Sequence, residues 1–528
     1  MAVTQIPNEL IEFGVKTFGT SSIMLGDTTT GTIDAANYNI GLGVDVFNTL
    51  TTGDSNIAIG HQALYLNSTG SQNIGIGHAA LYNNTASYNT ALGYFAMIAN
   101  TSGEENTAVG YQALDANTSG ANNTAMGSGA LGANTTGARN TGIGKNALLV
   151  ATTAIENTAV GNQALVDVTT ASQNVGVGHA ALYELTTGGN NTAVGSNTMQ
   201  NTTIGNSNVA VGYNSLSTNV AGDRNTALGM QCLQTMSSAT TADTNNTGVG
   251  FQAGLLMTTG TNNTCVGSKA LRDATTGSIN TAIGVSAMEN CTTGGQNVAV
   301  GRALWVNTLT GSNNVAVGLD AGKNVTSGYE SVFIGKDCGD NVTTGYGHTC
   351  VGKSVKPAYA SGSSGELGFG RDMSTNGTGY FTVGVSTSKG YYAYGTTNGF
   401  TAGSDERLKE EIVDSSVGLD FINDLRPRTF KWKQCGDVPS DMPQYVEGST
   451  TRHLNKEETQ LGLIAQEVKT AIDNHPEIPN GFSAWTTDVE GTQCLDFVPF
   501  IQPLIKAVQE LSAKNDALEA RIATLEGE

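Results

Sequence analysis

The sequence has few prolines and few charged residues for its length. Its 528 residues include 9 prolines, and 13% of them are charged, whereas ordinary globular proteins contain roughly 5% proline and about 25% charged residues. Glycine is common, at 68 residues, but it does not recur at every third position. These features exclude a collagen triple helix and a proline-rich disordered chain. The composition predicts a repetitive scaffold of the β type.

Basic residues are also scarce. The 25 Lys and Arg residues face 45 Asp and Glu residues, so the formal net charge is −20. A chain of this charge repels phosphate backbones and anionic membrane surfaces, and we expect no nucleic-acid partner. Residues 1–20 lack a basic stretch followed by an apolar core, and no run approaches about 18 apolar residues. We therefore expect neither an export signal nor membrane insertion.

The cysteines exclude two common uses of this residue. There are seven, an odd number, and no Cys-x-x-Cys pair occurs. This pattern indicates neither a disulfide framework nor a zinc site. Free thiols made in a reducing cytoplasm are the simpler interpretation, and we expect no metal and no cofactor.

A short repeat fills most of the chain. The pattern Asn-x-Ala-aliphatic-Gly recurs in steps of 17 residues, apart from one step of 16 and one of 21. Degenerate copies at Ser22, Asn39, Ser331 and His348 extend the series to about twenty, and such a period predicts a solenoid. The clear copies begin at Asn56, Asn73, Asn89, Asn106, Asn123, Asn140, Asn157, Asn174, Asn191, Asn208, Asn225, Asn246, Asn263, Asn280, Asn297 and Asn314.

Each copy predicts one coil of a parallel β-solenoid. Residues 106–110 alternate like a strand, and residues 117–120 have the composition of a turn. We expect the third, fourth, fifth, eighth and ninth positions to face packed interiors. The leading Asn residues should form a ladder at about 4.8 Å per coil, giving a shaft roughly 95 Å long. Because one small-residue coil buries little alone, we expect stacked coils in a homotrimer.

The repeat resembles the head domains of YadA-type trimeric adhesins. Those heads are left-handed parallel β-rolls built on a similar Asn-Ser-x-Ala-x-Gly repeat, with a shorter period. The resemblance covers residues 22–352. It implies a mainly β fold, a trimeric β-solenoid or β-roll shaft of about twenty 17-residue coils.

Several motifs inside the repeat suggest binding sites. Gly-rich segments at 75–80 and 176–181 mimic a dinucleotide fingerprint but lack its βαβ context, so we interpret them as parts of the repeat. His61 and His78 share the sixth position on adjacent coils, where metal binding is conceivable. The same position holds Ser, Lys and Asn in other coils, which favours a solvated surface. Tyr94 and Tyr111, also at this position, leave a glycan platform open.

A different kind of sequence begins at Ser404, where charge and aliphatic periodicity rise. Four ordered blocks resemble the intramolecular chaperone auto-processing domain of phage endosialidases, tail spikes and fibres. The resemblance covers residues 404–528, and Phe497 stands where the family usually has Tyr. The blocks are Ser404-Asp405-x-Arg407-Leu408-Lys409, Leu425-Arg426-Pro427-x-Thr429-Phe430-x-Trp432, Gly462-Leu463-Ile464-Ala465-Gln466-Glu467-Val468 and the segment from Phe497 to Leu511.

This resemblance implies a chaperone that trimerises, guides folding of the upstream fibre and is then released. By resemblance the scissile bond is Gly403–Ser404, with Ser404 as nucleophile and Lys409 as general base. The base must be a neutral amine, which burial or a nearby cation favours by lowering a lysine pKa from about 10.4. The alternative is that Ser404 and Asp405 only cap a short helix.

The final segment has the apolar spacing of a coiled coil. Its seam predicts a long helix over 501–525 that ends a small α+β domain. A polar Asn515 in the seam commonly fixes register and chain number. The seam consists of Ile501, Leu504, Val508, Leu511, Asn515, Leu518, Ile522 and Leu525.

Together these features predict four regions and a function. We expect an N-terminal attachment segment at 1–21, a shaft at 22–352, a distal tip or neck at 353–403 and a self-cleaving chaperone at 404–528. The function implied is a viral tail fibre, synthesised in the host cytoplasm. It would be joined to the virion tail or capsid through its N-terminus and would bind a glycan or protein on the host surface. Self-cleavage is the only catalysis expected.

Three alternatives remain at this stage. A secreted bacterial trimeric adhesin fits the repeat, but no signal peptide or anchor barrel is visible. A glycan-degrading tail spike needs paired carboxylates in a cleft, and the repeats carry few acids. Ice binding by a threonine ladder leaves the chaperone unexplained; this ladder is Thr107, Thr124, Thr141 and Thr158.

Overall fold

The structure is a computed structural model in which the chain divides into two compact units, Met1–Ala402 and Gly403–Glu528. We describe each unit by itself. The residues described are 15–18, 22–26, 35–237, 242–305, 307, 309–362, 365–386, 388–393, 410–440, 442, 445–452, 457–478, 482–487 and 492–527.

The first unit is a parallel β-solenoid. Of its 26 described strands, 24 form one sheet, in which most strands pair in parallel with the strand one coil further on. The pairing is in register: Thr107 lies opposite Thr124. The strands are β1 Val15–Phe18, β2 Ser22–Gly26, β3 Ile40–Gly43, β4 Ile57–Ile59, β5 Ile74–Ile76, β6 Thr90–Leu92, β7 Thr107–Val109, β8 Thr124–Met126, β9 Thr141–Ile143, β10 Thr158–Val160, β11 Val175–Val177, β12 Thr192–Val194, β13 Val209–Val211, β14 Gly222–Asp223, β15 Thr226–Leu228, β16 Ala242–Asp243, β17 Thr247–Val249, β18 Thr264–Val266, β19 Thr281–Ile283, β20 Val298–Val300, β21 Val315–Val317, β22 Val332–Ile334, β23 Thr349–Lys356, β24 Leu367–Ser374, β25 Tyr380–Val385 and β26 Ser388–Ala393.

The predicted solenoid of about twenty coils is confirmed, and its sheet continues past residue 352. Val351 pairs with Phe369, and Phe369 pairs with Val383, in the same parallel register. At the two ends the pairing is antiparallel, between β1 and β2 and between β25 and β26. The long step between Asn225 and Asn246 leaves the pairing intact: Thr226 pairs with Thr247, and β14 and β16 form a separate two-stranded sheet.

Each coil turns through backbone conformations that most residues avoid. In the coil that starts at Asn106, Gln112, Leu114 and Asn122 have φ of 51°, 55° and 61°. A non-glycine residue in this left-handed region costs roughly 1–2 kcal/mol, so stacking must compensate for this cost. Gly110 has φ of 138°, and an added Cβ there would lie 2.5 Å from the carbonyl oxygen of Gly127. The fifth position is glycine because the next coil approaches it so closely.

The core of the solenoid is a narrow column of small and aliphatic side chains. The third, eighth and ninth positions are fully buried, as in Ala108, Ala113 and Leu114. The fourth position corrects our expectation: Leu92 remains 44% exposed and Met126 43% exposed. Successive side chains of a strand point to opposite faces, so a buried third position directs the second and fourth positions outward.

The second unit is a small α+β domain with a long terminal helix. Its core contains Phe421, Val468, Ala471, Ala484 and Phe500. None of the helices that the structure describes is both long and apolar enough to cross a membrane. The elements are α1 Leu419–Asp424, β27 Arg428–Phe430, a 3-10 turn Cys435–Asp437, β28 Gln460–Gly462, α2 Ala465–Asn474, β29 Trp485–Thr487, β30 Gln493–Leu495, a 3-10 turn Val498–Phe500 and α3 Ile501–Glu526.

Candidate functional site

The leading asparagines form the ladder that the repeat predicts. The Oδ1 of Asn106 accepts hydrogen bonds from the backbone N–H of Asn123 at 2.9 Å and from its Nδ2 at 3.1 Å. The Nδ2 of Asn123 also donates to the carbonyl of Gly137 at 2.9 Å. Because these groups are fully buried, each one left unpaired would cost about 1–3 kcal/mol. The ladder therefore ties each coil that begins with an asparagine, from Asn39 to Asn314, to its neighbours.

A second asparagine ladder was not expected from the sequence. It runs through the twelfth position, where Asn117 donates through Nδ2 to the Oδ1 of Asn100 at 2.7 Å, and Asn134 donates likewise to Asn117 at 2.8 Å. The sequence pattern predicts Asn117 only as part of a turn. The signal was present in the sequence, since Asn recurs at this position in five consecutive coils, at Asn67, Asn84, Asn100, Asn117 and Asn134.

The outward fourth position forms a continuous aliphatic row along the solenoid. Its members are exposed or half-buried, and the threonines and aliphatic residues of the second position flank them on the same face. Isolated soluble chains rarely expose contiguous apolar surface of this extent. The row consists of Ile59, Ile76, Leu92, Val109, Met126, Ile143, Val160, Val177, Val194, Val211, Leu228, Val249, Val266, Ile283, Val300, Val317, Ile334 and Val351.

The sixth position, just beyond the strand, carries an aromatic row in four consecutive coils. The ring centroids of His61 and His78 lie 5.1 Å apart, those of His78 and Tyr94 5.0 Å, and those of Tyr94 and Tyr111 5.6 Å. The Nδ1 atoms of the two histidines lie 3.1 Å apart. Among the described residues, no group of three or more His, Cys, Asp or Glu side chains is placed to hold a metal ion. The structure therefore places His61, His78, Tyr94 and Tyr111, which the sequence singled out, in one continuous row of rings.

The buried cysteines of the solenoid are inert in their surroundings. Cys232, Cys265, Cys291, Cys338 and Cys350 are all buried and free. Burial raises the pKa of the Cys232 and Cys291 thiols to about 12. A thiolate is the reactive form of cysteine, so these side chains act as small apolar residues.

In the second unit, charged side chains join elements that are distant in sequence. Arg428 and Glu467 form a two-point ion pair between β27 and α2, with Nη2–Oε1 and Nε–Oε2 distances of 2.6 and 3.0 Å. Glu510 of α3 accepts a hydrogen bond from the backbone N–H of Leu419 at 2.9 Å. Its carboxylate oxygens lie so near Gly418 that a Cβ there would be 2.7 Å away. Arg428 stands at the unspecified position of the second sequence block, between Pro427 and Thr429.

His475 joins α1 to the segment after α2. Its Nε2 lies 2.9 Å from Oδ2 of Asp424, and its Nδ1 lies 2.7 Å from Oε1 of Glu477. The hydrogen bonds to Glu477 and Asp424 raise the pKa of His475. The ring also packs edge-on against Phe421, with centroids 5.5 Å apart. A protonated His475 therefore has an anionic partner at each ring nitrogen.

The long helix α3 exposes the seam that its sequence predicts. Pro503 and Ala507 are buried, but Leu511, Leu518 and Leu525 are 57%, 59% and 66% exposed. An aliphatic row on an isolated helix stays exposed to water, which is unfavourable, whereas a coiled coil buries such a row between helices. Asn515 donates through Nδ2 to Oε1 of Glu519 at 2.9 Å, within its own helix.

A cleft of about 800 Å³ opens beside the antiparallel pair of β27 and β28 in the same unit. Phe430 and Trp432 form one part of its lining, with ring centroids 5.4 Å apart and planes at 89°. Leu461 and Leu495 form another part, together with Phe497. Phe497 is 57% exposed and presents no hydroxyl to the cleft.

The predicted cleavage site lies outside the described residues. Gly403, Ser404 and Lys409 all belong to the segment 394–409, of which no structural statement is made. The roles of Ser404 as nucleophile and Lys409 as base therefore stay predictions.

A comparison with known protein families finds a match within the second unit. Residues 404–476 match the model of a family that is named as a peptidase family and described as "Chaperone of endosialidase". No curated protein and no solved structure matches the chain. The match includes the first three sequence blocks, and the ion pair of Arg428 and Glu467 lies inside it.

Proposed function

We propose that this chain, a β-solenoid shaft followed by a chaperone domain of the endosialidase type, is the precursor of a homotrimeric phage tail fibre. The chaperone brings three chains together, the shaft folds from that starting point, and the chaperone is then cleaved off. The released fibre belongs to a virion and contacts the surface of the host.

The observation that carries this proposal is the exposed aliphatic row of the fourth position. It extends over eighteen coils without a charged residue, from Ile59 to Val351. Burying apolar surface yields about 25 cal/mol per Å², so a face of this length strongly favours association. A second and a third copy of the same chain supply the same row at the same coil spacing. No other partner is needed to match its period.

The seam of α3 supports assembly from the C-terminal end. Three seams that meet in a coiled coil align the chains in register before the shafts associate. This order matters because parallel β-structure is built from contacts between residues far apart in sequence and folds slowly. The description of the matched family as a chaperone agrees with this role.

The proposed cleavage separates Gly403 from Ser404. Ser404 supplies the hydroxyl that attacks the carbonyl carbon of Gly403, and Lys409 accepts its proton. As the C–N bond between Gly403 and Ser404 breaks, Lys409 returns this proton to the departing amine of Ser404, and Gly403 is held as an ester on the Ser404 oxygen. Water then hydrolyses the ester, which releases the shaft with a Gly403 carboxylate and restores the hydroxyl of Ser404, now the first residue of the chaperone. Without its chaperone the fibre cannot easily refold, so its persistence becomes kinetic.

The test is the number of chains in the processed shaft. Sedimentation equilibrium should give three copies of the fragment ending at Gly403. Val194→Asp, in the aliphatic row, should reduce the trimer, because its three copies would place buried charges together. Ser196→Asp, two residues away in the same coil, should leave it intact. A monomer with β-type circular dichroism would contradict the proposal.

Attachment to a particle is tested separately. Antibody against residues 60–350, used as an immunogold label on intact particles, should decorate projecting fibres. Particles without label would separate this chain from the virion while leaving the trimer in place.

A further inference from the structure

We propose that the aromatic row formed by His61, His78, Tyr94 and Tyr111 is a binding site for a neutral, extended glycan of β-1,4-linked sugars, lying along the shaft. This inference rests on the proposed attachment function and assigns it to one short part of the solenoid. Four rings in successive coils are in contact with one another here; three of them are exposed and His78 is half-buried.

The rings are accessible. Tyr94 and Tyr111 are 45% and 53% exposed, and the His61 side chain is 47% exposed. The centroid separations of 5.0 to 5.6 Å exceed the contact distance of about 3.5–4.0 Å between carbon atoms. The three pairs are stacked, with planes 5°, 27° and 9° apart, so stacked rings at these separations are displaced sideways and part of each face is not covered by the next ring. Phe95 also packs against His78 and Tyr94, with centroids 5.3 and 4.1 Å away. The negative face of an aromatic ring attracts the weakly positive C–H groups on the flat side of a sugar.

The spacing of the row suits a linear polymer. Each coil adds one ring, so the row repeats along the axis at a distance comparable to one extended sugar unit. Sugars joined through equatorial β-1,4 bonds present their C–H faces at regular intervals along a nearly straight chain. The partly exposed Gln62 and Gln112 flank the rings at the seventh position and offer hydrogen-bond donors and acceptors for hydroxyl groups.

The charge around the row favours a neutral ligand. Residues 17–138 contain no Lys and no Arg. Asp45 lies beside the row, with Oδ2 at 3.9 Å from Nε2 of His61, and Glu104 and Glu105 belong to the same group of coils. An acidic polysaccharide or a nucleic acid would meet no Lys or Arg side chain here and several carboxylates. These observations favour hexose or N-acetylhexosamine chains over sialylated or sulfated ones.

Other coils of the same solenoid show that the sixth position can hold non-aromatic residues. The next three coils place Ser128, Lys145 and Asn162 at the same position. The backbone of the coil therefore does not require an aromatic residue there, and substitution to Ser has a precedent one coil away. Tyr213 occupies the same position as a solitary ring, with Ser196 and Met230 in the adjacent coils.

The experiment measures binding of the processed fibre to hexamers of β-1,4-linked N-acetylglucosamine and of β-1,4-linked glucose, by calorimetry and saturation-transfer NMR. An α-1,6-linked glucose hexamer serves as the control ligand. We expect saturable binding of at least one β-1,4 hexamer and none of the control. Tyr94→Ser combined with Tyr111→Ser should weaken binding by about tenfold or more, since each ring contributes an aromatic contact.

Two matched variants sharpen the result. Tyr213→Ser should leave the affinity unchanged, and Ser128→Tyr, which lengthens the row by one ring, should increase it. The inference is overturned if neither β-1,4 hexamer binds, if the double variant binds as well as the unchanged fibre, or if Tyr213→Ser weakens binding equally. Loss of the trimer in the double variant, seen by sedimentation, would assign the row to an interface between copies and would also overturn it. Failure of the fibre proposal is distinguishable, because it shows as monomeric shafts or unlabelled particles.

Discussion

The two units differ in where their stabilising contacts come from. In the shaft, Asn123 bonds to Asn106 one coil before it, and the same 17-residue separation recurs along the solenoid. In the second unit, the contact between Arg428 and Glu467 spans 39 residues, and that between Leu419 and Glu510 spans 91. The second unit thus has one central core, whereas the shaft has a series of equivalent neighbour contacts.

This difference agrees with the proposed order of assembly. A solenoid gains stability coil by coil, and its first coil has no neighbour to compensate for its left-handed turns. The small domain can form a core around Phe421 and Phe500, whose rings stack with centroids 6.3 Å apart. A unit that folds on its own core can serve as the starting point for one that cannot start itself.

The largest expected effect is the loss of cleavage between the two units. Ser404→Ala removes the nucleophile and Lys409→Ala removes the base, so both variants should accumulate uncleaved chain. Intact mass should find fragments ending at Gly403 and beginning at Ser404 only in the unchanged protein. Thr401→Ala, on the other side of the bond, should cleave normally.

These uncleaved variants should still form trimers, and they should recover from denaturation more readily because the chaperone stays attached. If Ser404→Ala yields the same fragments with no protease added, the Ser–Lys chemistry is wrong.

The second-largest expected effect is the loss of assembly when the α3 seam is disrupted. Leu518→Asp places three carboxylates in one layer of the α3 seam, where desolvation and repulsion oppose assembly. Soluble processed trimer should fall to a small fraction of the normal yield, as measured by size-exclusion chromatography. Lys514→Asp, outside the seam, is the control. Normal yields from Leu518→Asp would remove the coiled coil from the folding mechanism.

A smaller effect tests the neighbour contacts of the shaft. Asn123→Ala leaves the buried N–H of Asn140 without its acceptor, at a cost of about 1–3 kcal/mol. The carbonyl of Gly137 keeps Nδ2 of Asn134 as a donor at 3.1 Å. Denaturant unfolding in the uncleaved Ser404→Ala background should show this loss. Ser119→Ala, exposed in the preceding coil, should change stability by less than about 0.5 kcal/mol. Equal stabilities would mean that the ladder is not a source of shaft stability.

The smallest effect is a response to pH that differs in sign between the units. His348 occupies the leading position near the end of the shaft, and neither ring nitrogen has a hydrogen-bond partner among the described residues. Desolvation lowers the pKa of His348, whereas the bonds to Glu477 and Asp424 raise that of His475. The unfolded value is about 6.5 for both. Shaft stability should therefore fall as the pH drops below that value, towards the folded pKa of His348.

For His475 the opposite holds. Its contribution is complete below the unfolded pKa and is lost as the pH rises through the higher folded pKa. Hydrogen exchange at about pH 5 and about pH 8, corrected for intrinsic rates, should show β23 less protected in acid and α1 less protected in alkali. His348→Asn, which restores the usual ladder residue, should abolish the first change, and His475→Gln the second. The same pH response in both variants would disprove these assignments.

Much of this fold could be predicted from the sequence, because each copy of the repeat forms the same contacts. The Asn at each first position and the small residue at each third position recur about twenty times, so one correct interpretation of a coil applies to all. The periodicity predicted the parallel sheet, its register and the ladder from Asn39 to Asn314. The apolar spacing of the last segment likewise predicted α3.

Other features were decided only by the tertiary structure. The outward direction of the fourth position depends on which face of a three-residue strand the coil encloses, and aliphatic character alone does not specify that face. The second ladder through Asn117 depends on a turn that points its side chain inward. The ion pair of Arg428 and Glu467 and the bond of Glu510 to α1 join residues with no period between them. A short period determines contacts between neighbouring coils, but contacts across 39 or 91 residues exist only once the chain has folded.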